Sequence, residues 1–179
     1  MKLNIEAITE NSRYWNEVNA LAIEAFPPEE YLAPAELVKL AAGGHADFSA
    51  LLDGDAFVGF MVTLRHEEMV YLFFLAISPA LRSKGYGSAA LAALKAAYPG
   101  KTQVVDFEAP DDSADNAVQR QKRRQFYLKN GYLETGWFLT YFGVTYEIFC
   151  TDEDFDVAAF RNLMKSIPVD GFDPIYFRK

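Results

Sequence analysis

One cysteine, Cys150, and two histidines are all that 179 residues offer in the way of soft or metal-seeking side chains. A lone cysteine closes no internal disulfide, and with two histidines it makes no convincing zinc set, so no structural metal is expected. Cys150 reads as a packed strand residue. No apolar run reaches the roughly 20 residues that a membrane-crossing helix needs, and Lys2, Asn4 and Glu6 interrupt any leader-type core. A cytoplasmic protein with no membrane partner is the expectation. Cationic excess is missing too: the net charge of −8 disfavours nucleic acid and mildly favours a cationic acceptor such as an amine, although solubility alone accounts for it. The string Gly-x-x-x-x-Gly-Lys-Ser/Thr does not occur, which excludes ATP binding by that route. With no repeat, no linker and 51% hydrophobic residues, residues 1–179 are expected to form a single domain.

What is present centres on residues 70–97. A β-type apolar run, 70–77, enters a short connection, then Gly85-Tyr86-Gly87-Ser88, then an Ala/Leu run of good helix formers. A strand, a glycine loop and a helix in that order bring backbone N–H groups close to an anion at the positive end of the helix. The expected ligand carries a phosphate or pyrophosphate. One decoy is the dinucleotide fingerprint, since Gly85-Tyr86-Gly87-Ser88-Ala89-Ala90 fits Gly-x-Gly-x-x-Ala and Asp106 and Glu108 follow at about the distance of a ribose-binding acid. Against it, residues 78–84 separate the strand from the first glycine, and no second βαβ half is evident.

The hexapeptide Arg82-Ser83-Lys84-Gly85-Tyr86-Gly87 is Arg-x-x-Gly-x-Gly, preceded by Ile77-Ser78-Pro79. Downstream, Asn116 is followed by Phe126-Tyr127-Leu128-Lys129-Asn130-Gly131-Tyr132. In these two motifs, their order and approximate spacing, the sequence resembles the GNAT N-acetyltransferase superfamily, over about residues 2–150.

Taken in order, 2–8 alternates with period two and predicts a first strand. Asn11 or Ser12 is placed to cap a helix whose apolar positions are Trp15, Val18, Leu21, Ala22 and Ala25, stopped by Pro27-Pro28. A second helix is expected over 34–42, then a hairpin of 48–52 and 56–64 around Asp53-Gly54-Asp55. His66 falls in a polar turn. After the glycine loop come a helix over about 88–98, a strand at 102–108, a helix over about 116–130, strands at 132–142 and 144–150, and a helix within 152–167. The tail, 168–179, is too apolar to be solvated and is expected to pack on its own domain or on a second copy, which leaves a homodimer open. The basic cluster Arg120, Lys122, Arg123 and Arg124 fans around a helix and reads as a solvated surface. Composition and order give α+β, a mixed α/β fold. The resemblance implies more: a GNAT-like fold with a mixed central sheet of about seven strands flanked by helices, whose central strands splay to admit the pantetheine arm of acetyl-CoA.

It also implies the activity, transfer of an acyl group from acetyl-CoA to a primary amine by direct attack in a ternary complex, with no metal. Such a reaction needs a held cosubstrate, a deprotonated amine, a donor to the oxyanion and a proton for the leaving thiolate. The implied cofactor contacts are the backbone of Leu75, Ala76 and Ile77 for the pantetheine and the loop Arg82, Ser83, Lys84, Gly85, Tyr86, Gly87 and Ser88 for the pyrophosphate. Asn116 is either a further cofactor contact or a helix cap. Tyr127 matches the family tyrosine that faces the sulfur. The base stays open between Glu108, Glu68, Glu29 or Glu30 and a chain of waters. Phe26, Glu29, Glu30 and Tyr31, in an acidic and aromatic connection, are the expected acceptor-binding residues, for a small-molecule or peptide amine. The rival function is a non-catalytic acyl-CoA sensor or scaffold.

Overall fold

The computed structural model describes residues 1–26, 31–44, 46–167 and 171–179. The described residues form one eight-stranded mixed sheet, in the order β1-β2-β3-β4-β5-β7-β6-β8, with five α-helices. The strands are β1 (Asn4–Ala7), β2 (Ala46–Asp53), β3 (Ala56–His66), β4 (Met69–Ile77), β5 (Thr102–Glu108), β6 (Leu133–Tyr141), β7 (Val144–Cys150) and β8 (Ile175–Arg178). The helices are α1 (Trp15–Ala25), α2 (Pro34–Ala42), α3 (Tyr86–Ala97), α4 (Ala117–Lys129) and α5 (Val157–Met164). Two compact units divide the chain: Met1–Arg65 with Leu72–Lys101, and His66–Tyr71 with Thr102–Lys179.

In the first unit the sheet is covered on both faces. Phe48, Ala50 and Leu52 of β2 and Phe60 and Val62 of β3 pack with Val18, Leu21 and Ala22 of α1 and Leu37 of α2. The intervening positions point the other way, and there Tyr98, just past α3, hydrogen-bonds to Thr63 at 2.8 Å and donates to Asp47. Burial on both sides is why 60–62 is a continuous apolar run rather than an alternating one. Just before it sits Gly59, where an added Cβ would lie 2.1 Å from the Ala76 carbonyl oxygen. Asn11 and Ser12 do not cap α1. The residue before the helix is Tyr14, and the Ser12 hydroxyl instead accepts the Thr9 N–H at 2.9 Å.

In the second unit β4 contributes its first three residues, paired in parallel as Met69↔Thr102, Val70↔Gln103 and Tyr71↔Val104, and β5 continues antiparallel to β7. Phe160 of α5 meets Tyr71 edge-on at 5.3 Å, and Asp156 caps that helix by accepting the N–H groups of Ala158 and Ala159 at 2.9 Å. The tail supplies an eighth strand where about seven were expected. β8 pairs antiparallel with β6, Phe177 stacks on Phe138 at 5.7 Å, Lys179 lies over Phe138 and Arg178 over Trp137.

Candidate active site

The loop of the first unit is built on a sharp change of backbone. After β4 a single 3-10 turn, Pro79–Leu81, leads to Ser83 at φ 61 and Gly85 at φ 89, and α3 begins at Tyr86, two residues before the predicted start. Gly85 suits the left-handed conformation; Ser83 adopts it at a cost of about 1 kcal/mol. No side chain caps α3, and its first bond of this kind runs from the Ala89 N–H to the Gly85 carbonyl at 3.0 Å. By helix geometry the leading N–H groups of α3 have no acceptor one turn back within the helix. They stand behind an exposed turn, 82–85, at the positive end of a 12-residue helix. That geometry suits a pyrophosphate.

Two side chains fix the loop rather than reach from it. Arg82 donates from Nε to the Ile77 carbonyl at 3.2 Å, tying the loop back to the end of β4. Tyr86 donates to Asp53 Oδ2 at 2.9 Å, in the turn between β2 and β3, and that hydrogen bond raises its pKa. Leu75, Ala76 and Ile77 lie at the end of β4, with Ala76 buried and its carbonyl turned toward Gly59. Phe26 and Tyr31 both pack on the core: the Phe26 ring meets Phe74 edge-on at 4.7 Å and Phe60 at 6.2 Å. Glu29 and Glu30 lie outside the described residues.

The second unit holds the other named residues. Tyr127 of α4 is 9% exposed, its ring stacked at 5.1 Å and 15° on Phe107 of β5 and edge-on to Tyr132. Burial pushes its pKa up to about 12, so at neutral pH it is a protonated donor, and its hydroxyl has no acceptor among the described residues. Glu108, the last residue of β5, receives Arg120 at 2.8 Å and Arg123 at 3.4 Å. Asn116 precedes α4 as a cap would, yet its side chain makes no capping bond. It donates to both oxygens of Glu108, at 3.2 and 3.0 Å, and accepts Arg120 Nε at 2.7 Å.

The basic cluster is thus no simple solvated surface. Arg120 and Arg124 are only 15% and 20% exposed, and Arg124 pairs with Glu147 at 3.0 Å and Glu134 at 2.7 Å. The signal was the spacing of Asn116, Arg120 and Tyr127, one stripe of a helix. Gly59 was the other omission, detectable as a glycine inside a strand pattern. Cys150 lies in β7, buried, with burial raising its thiol pKa and its Sγ donating to the Asp152 carbonyl at 2.9 Å. His66 ends β3. Among the described residues no cluster of three His, Cys, Asp or Glu side chains is placed to hold a metal, and no helix is long and apolar enough to cross a membrane.

Comparison with known proteins bears on this arrangement directly. An acetyltransferase of the GNAT family from Bacteroides thetaiotaomicron superposes with a TM-score of 0.72 at 23% identity, covering 89% of this chain and 92% of its own. An aminoglycoside 6'-N-acetyltransferase complexed with coenzyme A gives a TM-score of 0.64 at 18% identity, covering 86% and 98%. The aminoglycoside 6'-N-acetyltransferase from Enterococcus faecium gives 0.64 at 19%, again over 86% and 98%. At such identities the likeness is one of fold. No curated protein sequence matches. The family profile described as an acetyltransferase (GNAT) domain matches residues 44–134, which include the glycine loop, β4, β5 and α4. By that match, over just more than half of its length, the chain belongs to the GNAT acetyltransferase family, which transfers acetyl groups from acetyl-CoA.

Proposed function

We propose that this protein transfers the acetyl group of acetyl-CoA to the nitrogen of a primary amine, by direct attack within a ternary complex. The observation that carries the reading is the exposed turn of 82–85 opening into α3, whose N-terminus has no side-chain cap and suits the pyrophosphate of the family's cosubstrate. An amine acceptor is supported by two structural neighbours, both aminoglycoside N-acetyltransferases, and by the net charge of −8, which attracts a cation.

In the reaction the amine lone pair attacks the thioester carbonyl carbon, and the oxyanion collapses to break the C–S bond. Net, one proton moves from nitrogen to sulfur. Tyr127 is our assignment for the group that meets the departing sulfur, on its motif position and its unengaged, protonated hydroxyl. A thiol ionises near ~8.5, well below this tyrosine, so Tyr127 stabilises the developing thiolate by a hydrogen bond and keeps its own proton. The proton that ends on sulfur is the one lost by the attacking amine. Tyr127→Phe is therefore expected to lower kcat by about 10²-fold, the scale of one lost donor to a developing anion, with little change in KM for acetyl-CoA. The test is thiol release from acetyl-CoA with kanamycin, spermidine or water as acceptor. Release unaffected by Tyr127→Phe, alongside a lowered melting temperature, would leave the tyrosine a packing residue only. Tight acetyl-CoA binding with no release under any condition would make the protein a sensor of the cosubstrate.

A further inference from the structure

Glu108 is one of the candidates for the proton acceptor of the amine, and its surroundings argue for a different task. Its two oxygens carry four contacts: Arg120 Nη2 at 2.8 Å, Arg123 Nη1 at 3.4 Å, and Asn116 Nδ2 at 3.2 and 3.0 Å. Arg120 is held in turn, by Asn116 Oδ1 at 2.7 Å and by the Ala109 carbonyl at 3.0 Å. The carboxylate side chain is 16% exposed. A base in this setting would have to give up an arginine or an asparagine contact before taking a proton.

The same contacts make an effective clamp. Asn116, Arg120, Arg123 and Tyr127 are spaced i, i+4, i+7 and i+11, one stripe of α4 and the residue that precedes it. Glu108 holds the first three, and Phe107, its neighbour on β5, stacks on the fourth. One strand end therefore grips one helix face at two heights, Arg120 and Tyr127 being about 10 Å apart along the axis at 1.5 Å per residue. Arg124 ties a neighbouring face of α4 to Glu134 and Glu147, but on the Tyr127 face ring stacking alone would leave the helix free to shift over Phe107, because stacked rings tolerate offset. The ion pairs and the asparagine bridge, which are directional, remove that freedom.

We infer that Glu108 is a positioning residue: by holding Asn116 and Arg120 it sets where α4 stands on β5, and so where the Tyr127 hydroxyl stands. This rests on the assignment of Tyr127 as the donor to the departing sulfur. It also removes Glu108 from among the bases.

The experiment measures thiol release from acetyl-CoA, with kanamycin, spermidine and water as acceptors, for Glu108→Ala, Glu108→Gln and each of these combined with Tyr127→Phe. Glu108→Ala should lower kcat about tenfold and leave KM for acetyl-CoA within about twofold, as expected when a catalytic donor is displaced by a fraction of an ångström. Glu108→Gln, whose amide oxygen still accepts from Asn116 and Arg120, should recover most of that loss and keep the acidic limb of the pH profile. In the Tyr127→Phe background Glu108→Ala should cost nothing further, since the group it positions is gone. Three results overturn the inference: an unchanged kcat in Glu108→Ala, a loss in Glu108→Gln as deep as in Glu108→Ala with the acidic limb abolished, or an undiminished tenfold loss in the Tyr127→Phe background. Should Glu108→Ala fail to fold, Asn116→Ala carries the same expectations from the other side of the clamp. A flat response to Tyr127→Phe alone overturns the assignment of the tyrosine, and no thiol release by the unmodified protein overturns the functional reading itself, so the failures are separable.

Discussion

Gly59→Ala is the smallest change that should disturb both the fold and the loop proposed to hold the cosubstrate. The new Cβ would sit 2.1 Å from the carbonyl oxygen of Ala76, and 3.1 Å from both the Ala76 carbonyl carbon and Ile77 Cα. A carbon and an oxygen rarely approach closer than about 3.3 Å, so roughly 1.2 Å of overlap must be relieved. Every atom in the way is backbone, and no side chain can rotate aside. Beside this contact the Ser78 N–H donates to the Val58 carbonyl at 2.9 Å, so β3 and β4 cannot part without breaking that bond. Overpacking typically costs about 1–3 kcal/mol, and a clash of two main chains belongs at the upper end. For a domain of this size about 3 kcal/mol lowers the melting temperature by roughly 6–12 °C. The displaced segment is Ala76 and Ile77, and the Ile77 carbonyl anchors Arg82, so CoA affinity should fall as well. Calorimetric melting and isothermal titration with CoA measure the two effects. A melting temperature within about 2 °C of the parent, with CoA affinity intact, would show that the strands do not approach as closely as described.

Gly85→Val should weaken CoA binding at least tenfold, because a β-branched residue resists φ 89 although a Cβ there meets nothing within 4 Å; titration calorimetry checks it, and unaltered affinity would remove the loop from the cosubstrate site. The buried tyrosines predict an alkaline transition. Burial raises the pKa of Tyr127 and of Tyr98 to about 12, and raises Tyr71, Tyr132 and Tyr176 too, above an unfolded value near ~10. Their neutral forms stabilise the fold fully below pH ~10, and that contribution is lost as the pH rises through about 12. Absorbance near 295 nm should show these phenols ionising only as the fold melts; if all ten tyrosines ionise together near pH 10 with the fold intact, the burial described is wrong.

What could be read in advance was mostly what is local in the chain. The strand, glycine turn and helix of 70–97 are determined by neighbours a few residues apart, so Gly85 and the start of α3 were found to within two residues. The elements β2 and β3 followed from their Asp-Gly turn for the same reason. Distant partners escaped notice. Arg120 looked solvated because its acceptor, Glu108, lies on a different element, and for the asparagine that bridges them the sequence offered a cofactor contact or a cap but not this bridge. The contacts of Phe26 with Phe60 and Phe74, more than 30 residues later, could not be read from its own neighbourhood. The tail gave no strand pattern strong enough to predict β8, whose four residues acquire their conformation from β6.

That dependence runs both ways. The ladder of β8, at the edge of the sheet, spans four residue pairs, Trp137↔Arg178 to Thr140↔Ile175, and a short edge strand opens at a lower free energy than the strands behind it. Amide protons of β6 that point toward β8 are therefore shielded from solvent only while the tail is attached. Their deuterium uptake would run on its own clock, faster than that of the amides β6 shares with β7, and would time the tail's departure without the rest of the sheet coming apart.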